Sequence, residues 1–455
     1  MTAKQIVQQL GERVRAARPR TILIVGWCVF LIYAYPGYMT SDAVDQLFDA
    51  RVGHFNDWHP PTMIELWRLI SYVVAGPFGM LAAQSWLLVG GAYALLARIT
   101  RPRAAALGAV GLLIFPPVIA PLAVISPDAQ MVGYLLAGFA CVTSPRRGGR
   151  LAGVVLLVLG TAMRPTAALA ALPLLAGGIR IWRPATLRWR RALAGLAACA
   201  AIWLAACGLD AYVRHGSTEH TKLDRAIADL TGTAHFAPPF DDDLSRALLA
   251  GIPTYEGALR ARLANAYTHP DRLTYGTDRM FEMPHTAAQR ALVFDAAWAM
   301  RRAYPAAYLL HRWRTFGRVL GLSRTKDSRA VYTGFAGSES QGDKVLHAAM
   351  HSALQRGAIA VVRVIANGRA NRPYLYLILA VLALPIAIRR RHAPAGTLLA
   401  SGILYELSLF FATTVTTYAI SSWLIVTTSL AVGLILRNEL ARRRSAQGSS
   451  SSSAS

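Results

Sequence analysis

Residues 180–210 read "RIWRPATLRWRRALAGLAACAAIWLAACGLD". A basic cluster, 180–191, gives way to an apolar run without a single charge, and the run stops at Asp210. An apolar helix of about 20 residues crosses a bilayer, and 192–210 has that length and composition. Cationic clusters beside such a run mark its cytoplasmic end, because loops rich in Lys and Arg stay inside. This stretch therefore reads as a span that leaves the cytoplasm and opens into a polar segment outside.

The rest of the chain repeats the pattern. Further apolar runs lie at about 21–38, 77–97, 104–123, 128–143, 151–164, 166–181, 373–388, 394–412 and 417–436. The pair at 151–181 is short and reads as a tight hairpin. Only 16% of the 455 residues are charged, against about 25% in soluble proteins, and the mean hydropathy is +0.35. The fold class is an all-α polytopic membrane protein of about ten transmembrane helices. The run at 21–35 lacks a small-residue cleavage site, so it reads as an uncleaved first helix.

A net charge of +24 suggests nucleic acid until the charges are placed. They sit in short clusters between apolar runs: 13–20, 98–103, 145–150, 180–191, 389–392 and 437–444. A nucleic-acid role is set aside, since a soluble basic domain and stacking aromatics are missing. With the N-terminus in the cytoplasm, the inside segments hold 23 Lys+Arg and only Glu12 and Glu439 as acids; the segment 210–371 holds 21 Lys+Arg with 15 Asp+Glu. Both termini are then cytoplasmic. Residues 1–20 form a basic N-terminus and 21–210 an N-terminal transmembrane module whose first outer loop is 39–76. Residues 211–371 form a mainly helical extracytoplasmic domain, 372–437 the last helices, and 438–455 a disordered tail ending in a serine run. The four cysteines, Cys28, Cys141, Cys199 and Cys207, lie in apolar runs and read as small buried hydrophobes without a disulfide framework. Abundant Ala and Arg with few Lys point to a bacterium with a GC-rich genome, hence to its cytoplasmic membrane.

In the outer segment, 245–267 and 287–322 carry helical periodicity. The second is predicted to lie along the membrane face, because Arg301, Arg302, Arg312, Arg314 and Arg318 make a pair of spans expensive. The acids 241–243 read as a helix start.

Ionisable groups gather at one face. Outside the large segment, Glu12 and Glu439, the acids are Asp42, Asp45, Asp49, Asp57, Glu65, Asp128 and Glu406. All but Glu406 fall at the outer face; Glu406 lies within a span, where acids are costly and mark either function or a paired structural role. The stretch "PGYMTSDAVDQLFDARVGHFNDWHPP" (36–61) carries four of them. Thr40 or Ser41 caps a short helix from about 42 to 52 that Gly53 ends. Val44, Leu47, Phe48 and Val52 make its apolar face, and Asp45 and Asp49 read as solvated. Pro60 and Pro61 start a second, amphipathic helix. An ordinary interfacial hairpin, with Trp58 as membrane anchor and Arg68 reaching headgroups, fits these residues as well as a catalytic loop does.

The same stretch resembles the first outer loop of one bacterial branch of the GT-C superfamily, integral-membrane glycosyltransferases that use polyprenyl-phosphate sugars. That loop runs roughly Pro-Gly, Ser/Thr-x-Asp, Gln, Gly, Asp-Trp-His-Pro. "SPDAQ" (126–130) falls where the family carries a second loop acid, with Pro127 in place of a frequent Lys. "AMRPTAAL" (162–169) resembles an Arg-containing hairpin turn, and "TTYAISSW" (416–423) a late Tyr motif without the Arg that often precedes it.

The resemblance implies inverting sugar transfer at the outer face, from a polyprenyl-phosphate donor to a hydroxyl of an envelope glycan, lipid or protein. Asp42 matches the family's loop acid and is implied as general base, with Asp128 orienting the acceptor. Arg164, Arg68 and His59 are implied partners of the leaving phosphate, and Asp57, Trp58, Glu406 and Tyr418 further substrate contacts. Some members hold a divalent cation, Mg or Mn, with loop acids; here the set would be Asp42, Asp57, Asp128 and His59, whose spacing is not itself a metal signature. Two other classes remain: a lipid or solute transporter or flippase, and a non-catalytic subunit of envelope assembly.

Overall fold

Pro19–Ala34 (α1) begins with proline at its first turn and ends at Tyr35. The computed structural model describes residues 17–53, 55, 59–182, 188–214, 220–238, 284, 286–323, 330–334, 352–414 and 416–452. The helices that follow are Ser41–Val52 (α2), Pro61–Ser71 (α3), Phe78–Leu96 (α4), Pro102–Leu113 (α5), Pro116–Leu122 (α6), Pro127–Val142 (α7), Arg147–Met163 (α8) and Ala167–Trp182 (α9). Then come Arg188–Arg214 (α10), His220–Phe236 (α11), Ala287–Ala303 (α12), Pro305–Val319 (α13), Ala353–Ala366 (α14), Pro373–Arg389 (α15), Ala393–Ala412 (α16) and Ser422–Ser452 (α17). Among the described residues the extended backbone is one isolated parallel bridge, Tyr38 with Val124.

The protein is therefore all-helical, and several of its helices suit a membrane. Phe78–Leu96, Ala192–Arg214, Ala393–Ala412 and Tyr418–Arg443 are each long and apolar enough to cross one. α5 and α6, bent by 65° across a short break, make a fifth if they are one span. That break falls inside the run 104–123, where Pro116 and Pro117 follow Phe115: a proline bars the helical conformation of the residue before it. The other runs read from sequence, including the tight 151–181 hairpin, are shorter helices.

α7 is the central helix. Every residue of it except Pro127 and Cys141 is buried. Helices in lipid gain little from hydrophobicity and associate by close packing of small residues. Gly91 of α4 faces the backbone of Ala137, and Gly153 of α8 faces that of Val142, so the backbones of α4, α7 and α8 touch. Polar side chains hold the turn between α6 and α7. Gln84 of α4 donates through Nε2 to the carbonyls of Leu122 (2.6 Å) and Val124 (3.0 Å), and Gln130 of α7 donates to the Gln84 side chain (3.1 Å).

Outward sides are apolar instead. Ile24, Val25 and Val29 of α1, Leu193, Leu196 and Leu204 of α10, and Val381, Leu382 and Ile388 of α15 are exposed, as suits a surface meeting lipid. Cys28 and Cys207 share these outward faces, so they are not buried as expected; Cys199 is. At the C-terminus, the tail expected to be disordered instead continues α17 through Ser452. Extending an existing helix adds a hydrogen bond per residue without a new nucleus.

Polar ties sort into two ends. At one, Tyr38 pairs with Ala123 and Ile125, Thr62 with Asp210, Gln355 with Tyr35, Arg312 with Thr413, and Tyr418 with Asn371. At the other, Arg98 grips Thr143 and the Ala140 carbonyl, Arg390 meets Glu439, and Asn438 meets His392. The first set joins segments read as outer loops, and the second joins the basic segments.

The segment 287–322 is two helices, broken at Tyr304–Pro305. α12 packs on α11 through Val293, Ala296, Ala297 and Met300, while α13 packs on α11 and α16. Between them Asp229 of α11, fully buried, is met by Arg301, by Arg312 and by His311 at 3.4 Å. This charged knot is tied to the end of α16 through Arg312 and Thr413 (2.8 Å), and the expected single helix is two helices joined around it. The regions 241–243 and 245–267 lie outside the described residues.

Candidate active site at the outer helix ends

The loop between α1 and α2 sets the site's entrance. Gly37 takes φ +113° beside Ile125 and Leu81, a conformation and a fit that suit glycine. Thr40 then caps α2, accepting from the Ala43 amide (3.4 Å), and Gly53 closes it at φ 71°. Both ends fall where the sequence put them. The buried side of α2 is Ala43, Gln46, Leu47, Asp49 and Ala50, whereas Phe48 and Val52 of its apolar face point outward, where a bilayer would cover them.

That rotation changes the acids. Asp42, Asp45 and Asp49 recur at spacings of three and four, one stripe of a helix. Asp42 is exposed in the first turn, and Asp49, expected to be solvated, is buried. His59, in the loop after α2, feels the charges of Asp42, Asp49, Asp45 and Arg164. Burial pushes its imidazole below the ordinary value of 6.5 despite the three acids. Burial likewise raises Asp45, with His59 opposing and the other two acids adding.

Opposite α2 stands an ion pair. Ser126 caps α7, accepting from the Ala129 amide (3.2 Å), with Pro127 and Asp128 in the first turn. Asp128 is 3% exposed. Arg164, in the turn between α8 and α9, donates Nε–H and Nη2–H to its two carboxylate oxygens, each at 2.9 Å. A fork of this kind fixes both planes. Nη1 takes no part in it. The fields of Asp42 and of the Tyr405 phenol reach the Arg164 guanidinium, and Tyr405 also feels Asp128 and Glu406.

Asp128 and Arg164 are thus paired, and the charges of Asp42 and His59 act on that pair through Arg164 and on each other without a direct contact. Arg68, Tyr418 and Glu406 have partners of their own. Arg68 is taken by its own helix, donating to Glu65 at 2.6 and 2.7 Å and to Tyr72 at 3.0 Å. Tyr418 is buried and donates to the Asn371 carbonyl at 2.9 Å. Glu406 is fully buried and accepts from Ser421 at 2.8 Å, which makes it a link between α16 and the turn before α17. Asp57 and Trp58 lie outside the described residues.

Two participants were missed. Asp49 was visible in the three-four spacing of the α2 acids. Tyr405 had only its neighbour Glu406 to flag it. For a metal the fit is poor: among the described residues no three His, Cys, Asp or Glu side chains converge, and Asp128 already spends both oxygens on Arg164.

The chain matches no known family model, no curated protein and no solved structure.

Proposed function

We propose that the protein is a multi-pass glycosyltransferase of GT-C type, moving a sugar from a polyprenyl-phosphate donor to a hydroxyl acceptor at the outer face of a bacterial cytoplasmic membrane. Ten spans with both termini in the cytoplasm accompany this reading. The observation that carries it is an exposed carboxylate, Asp42, whose charge reaches both His59 and the Arg164 guanidinium of the Asp128–Arg164 ion pair. A donor with its tail in lipid and its phosphate at the surface reaches such a place.

Asp42 takes the proton of the acceptor hydroxyl as its oxygen bonds to C1 of the sugar. On the opposite face the C1–O bond to the phosphate breaks, and C1 inverts. The phosphate leaves with the electron pair and needs positive charge rather than a proton. Arg164 supplies it through Nη1, while the grip of Asp128 holds the guanidinium in place. His59, kept neutral by burial, donates one N–H to a phosphate oxygen. Asp128 is a positioning residue, because both its oxygens are engaged. No step is routed through a metal.

The test uses purified protein in detergent with a panel of labelled polyprenyl-phosphate hexoses and pentoses and an envelope extract as acceptor source. Release of free polyprenyl phosphate supports transfer. Vectorial movement of intact donor across reconstituted vesicles supports a flippase, and neither outcome leaves an assembly subunit.

A further inference from the structure

α14 has three faces where an ordinary surface helix has two. Gln355, Ile359, Val362 and Ala366 recur at helical spacing and are buried against α1 and α6. Leu354, Val361, Val364 and Ile365 form a second apolar strip, yet they are 65%, 60%, 79% and 46% exposed. Arg356 and Arg363, seven residues apart, form the third face and are exposed. On a wheel of about 100° per residue the exposed apolar strip spans about a quarter-turn, with the arginines opposite it across the buried face's edge.

Water alone is a poor neighbour for four large exposed apolar side chains in a helix of 14 residues. A second protein is not indicated by anything beside them, whereas lipid is. α14 packs on α1, whose own outward residues Ile24, Val25, Val29 and Ile32 are exposed as a lipid-facing side would be. The two arginines match anionic headgroups. A helix of this composition lies flat with its apolar strip about 5–10 Å into the headgroup–acyl boundary.

We propose that α14 is a lipid-docking helix, lying in the leaflet at the site's end of the bundle with its exposed apolar strip among acyl chains and Arg356 and Arg363 on anionic phospholipid headgroups. The inference does not rest on glycosyl transfer. It does bear on the site's position. Gln355 donates to the carbonyl of Tyr35 at 2.7 Å, and the Tyr332 hydroxyl donates to that of Met39 at 3.1 Å. Lipid would thereby hold the segment that leads into α2 and Asp42.

The test places nitroxide labels at Val361→Cys, Val364→Cys and Arg356→Cys, one at a time. The background is full-length C28A/C141A/C207A protein, in nanodiscs of phosphatidylethanolamine with phosphatidylglycerol. Labels at 361 and 364 are expected to collide several-fold more with oxygen than with a water-soluble nickel chelate, and the label at 356 to reverse that order. In R356E/R363E the label at 364 is expected to gain nickel accessibility at least twofold in the same lipids. Equal nickel access at 356, 361 and 364 would put the strip in water, and exclusion of both reagents would put it under protein. Either result overturns the proposal, as does a charge-reversed double variant without change.

Discussion

Arg164→Met tests the pair on which the site is built. The substitution keeps much of the side chain's volume and removes the charge facing Asp128, a carboxylate only 3% exposed. Taking one partner from a buried ion pair costs about 3–5 kcal/mol, because the other charge stays buried and uncompensated. Arg164 is partly open, with 29% of its side chain exposed, so the lower end of that range is expected. The double variant D128N/R164M removes both charges and leaves a polar amide at a helix start; about 1–2 kcal/mol is expected from the lost hydrogen bonds. The double variant should therefore be more stable than R164M alone by about 1–2 kcal/mol. Arg164→Lys keeps the charge without the fork and should fall between wild type and R164M. Reversible unfolding in mixed micelles, followed by tryptophan fluorescence, gives the three differences. If D128N/R164M is no more stable than R164M, the two side chains are not coupled, and the account of Asp128 as a held carboxylate fails.

Gly91→Ala would put a Cβ 2.7 Å from the backbone nitrogen of Ala137; the helices must part, at about 1–3 kcal/mol, while Gly90→Ala, with nothing within 4 Å, should be neutral in the same unfolding assay. Asp229→Asn leaves Arg301 and Arg312 around an uncharged amide and should cost about 3–5 kcal/mol; a change below about 1 kcal/mol would show that the knot is not holding the outer segment together. His59 predicts a pH dependence of definite sign. Its folded value lies below the ordinary 6.5, so the unfolded chain binds the extra proton first, and stability falls as pH drops through 6.5 and is flat above it. His59→Gln should abolish that slope, measured as unfolding midpoints from about pH 5 to 8; a wild type that gains stability on acidification, by an amount that His59→Gln removes, would reverse the assignment.

Much of this was legible in the sequence because each signal is local. Apolar runs marked where helices lie, and Thr40, Gly53 and Pro61 marked the ends of two of them through capping chemistry. Basic clusters divided the segments into two groups, and the polar ties join segments within each group. What failed was rotation and partnership, which neighbours decide. α2 turns Asp49 inward and Phe48 outward because Gln46 and Ala50 face the bundle, and nothing within twelve residues specifies that. Arg68 and Tyr418, implied as substrate contacts, have partners the sequence did not reveal, Glu65 and the Asn371 carbonyl. The Asp229–Arg301–Arg312 knot joins residues some 70 to 80 positions apart, and only the packing of α11 on α12 and α13 brings them together.

The central claim is that Asp42 is the base of a sugar transfer, and Asp42→Asn tests it most directly. Asp42 is exposed and lies in the first turn of a helix capped by Thr40, so the amide should fold as the acid does. With the labelled donor that the wild type consumes, the account predicts loss of at least about a hundredfold in polyprenyl phosphate release, within the 10²–10⁴ that general-base catalysis supplies, at an unchanged unfolding midpoint. A folded Asp42→Asn protein that releases polyprenyl phosphate at the wild-type rate would contradict it.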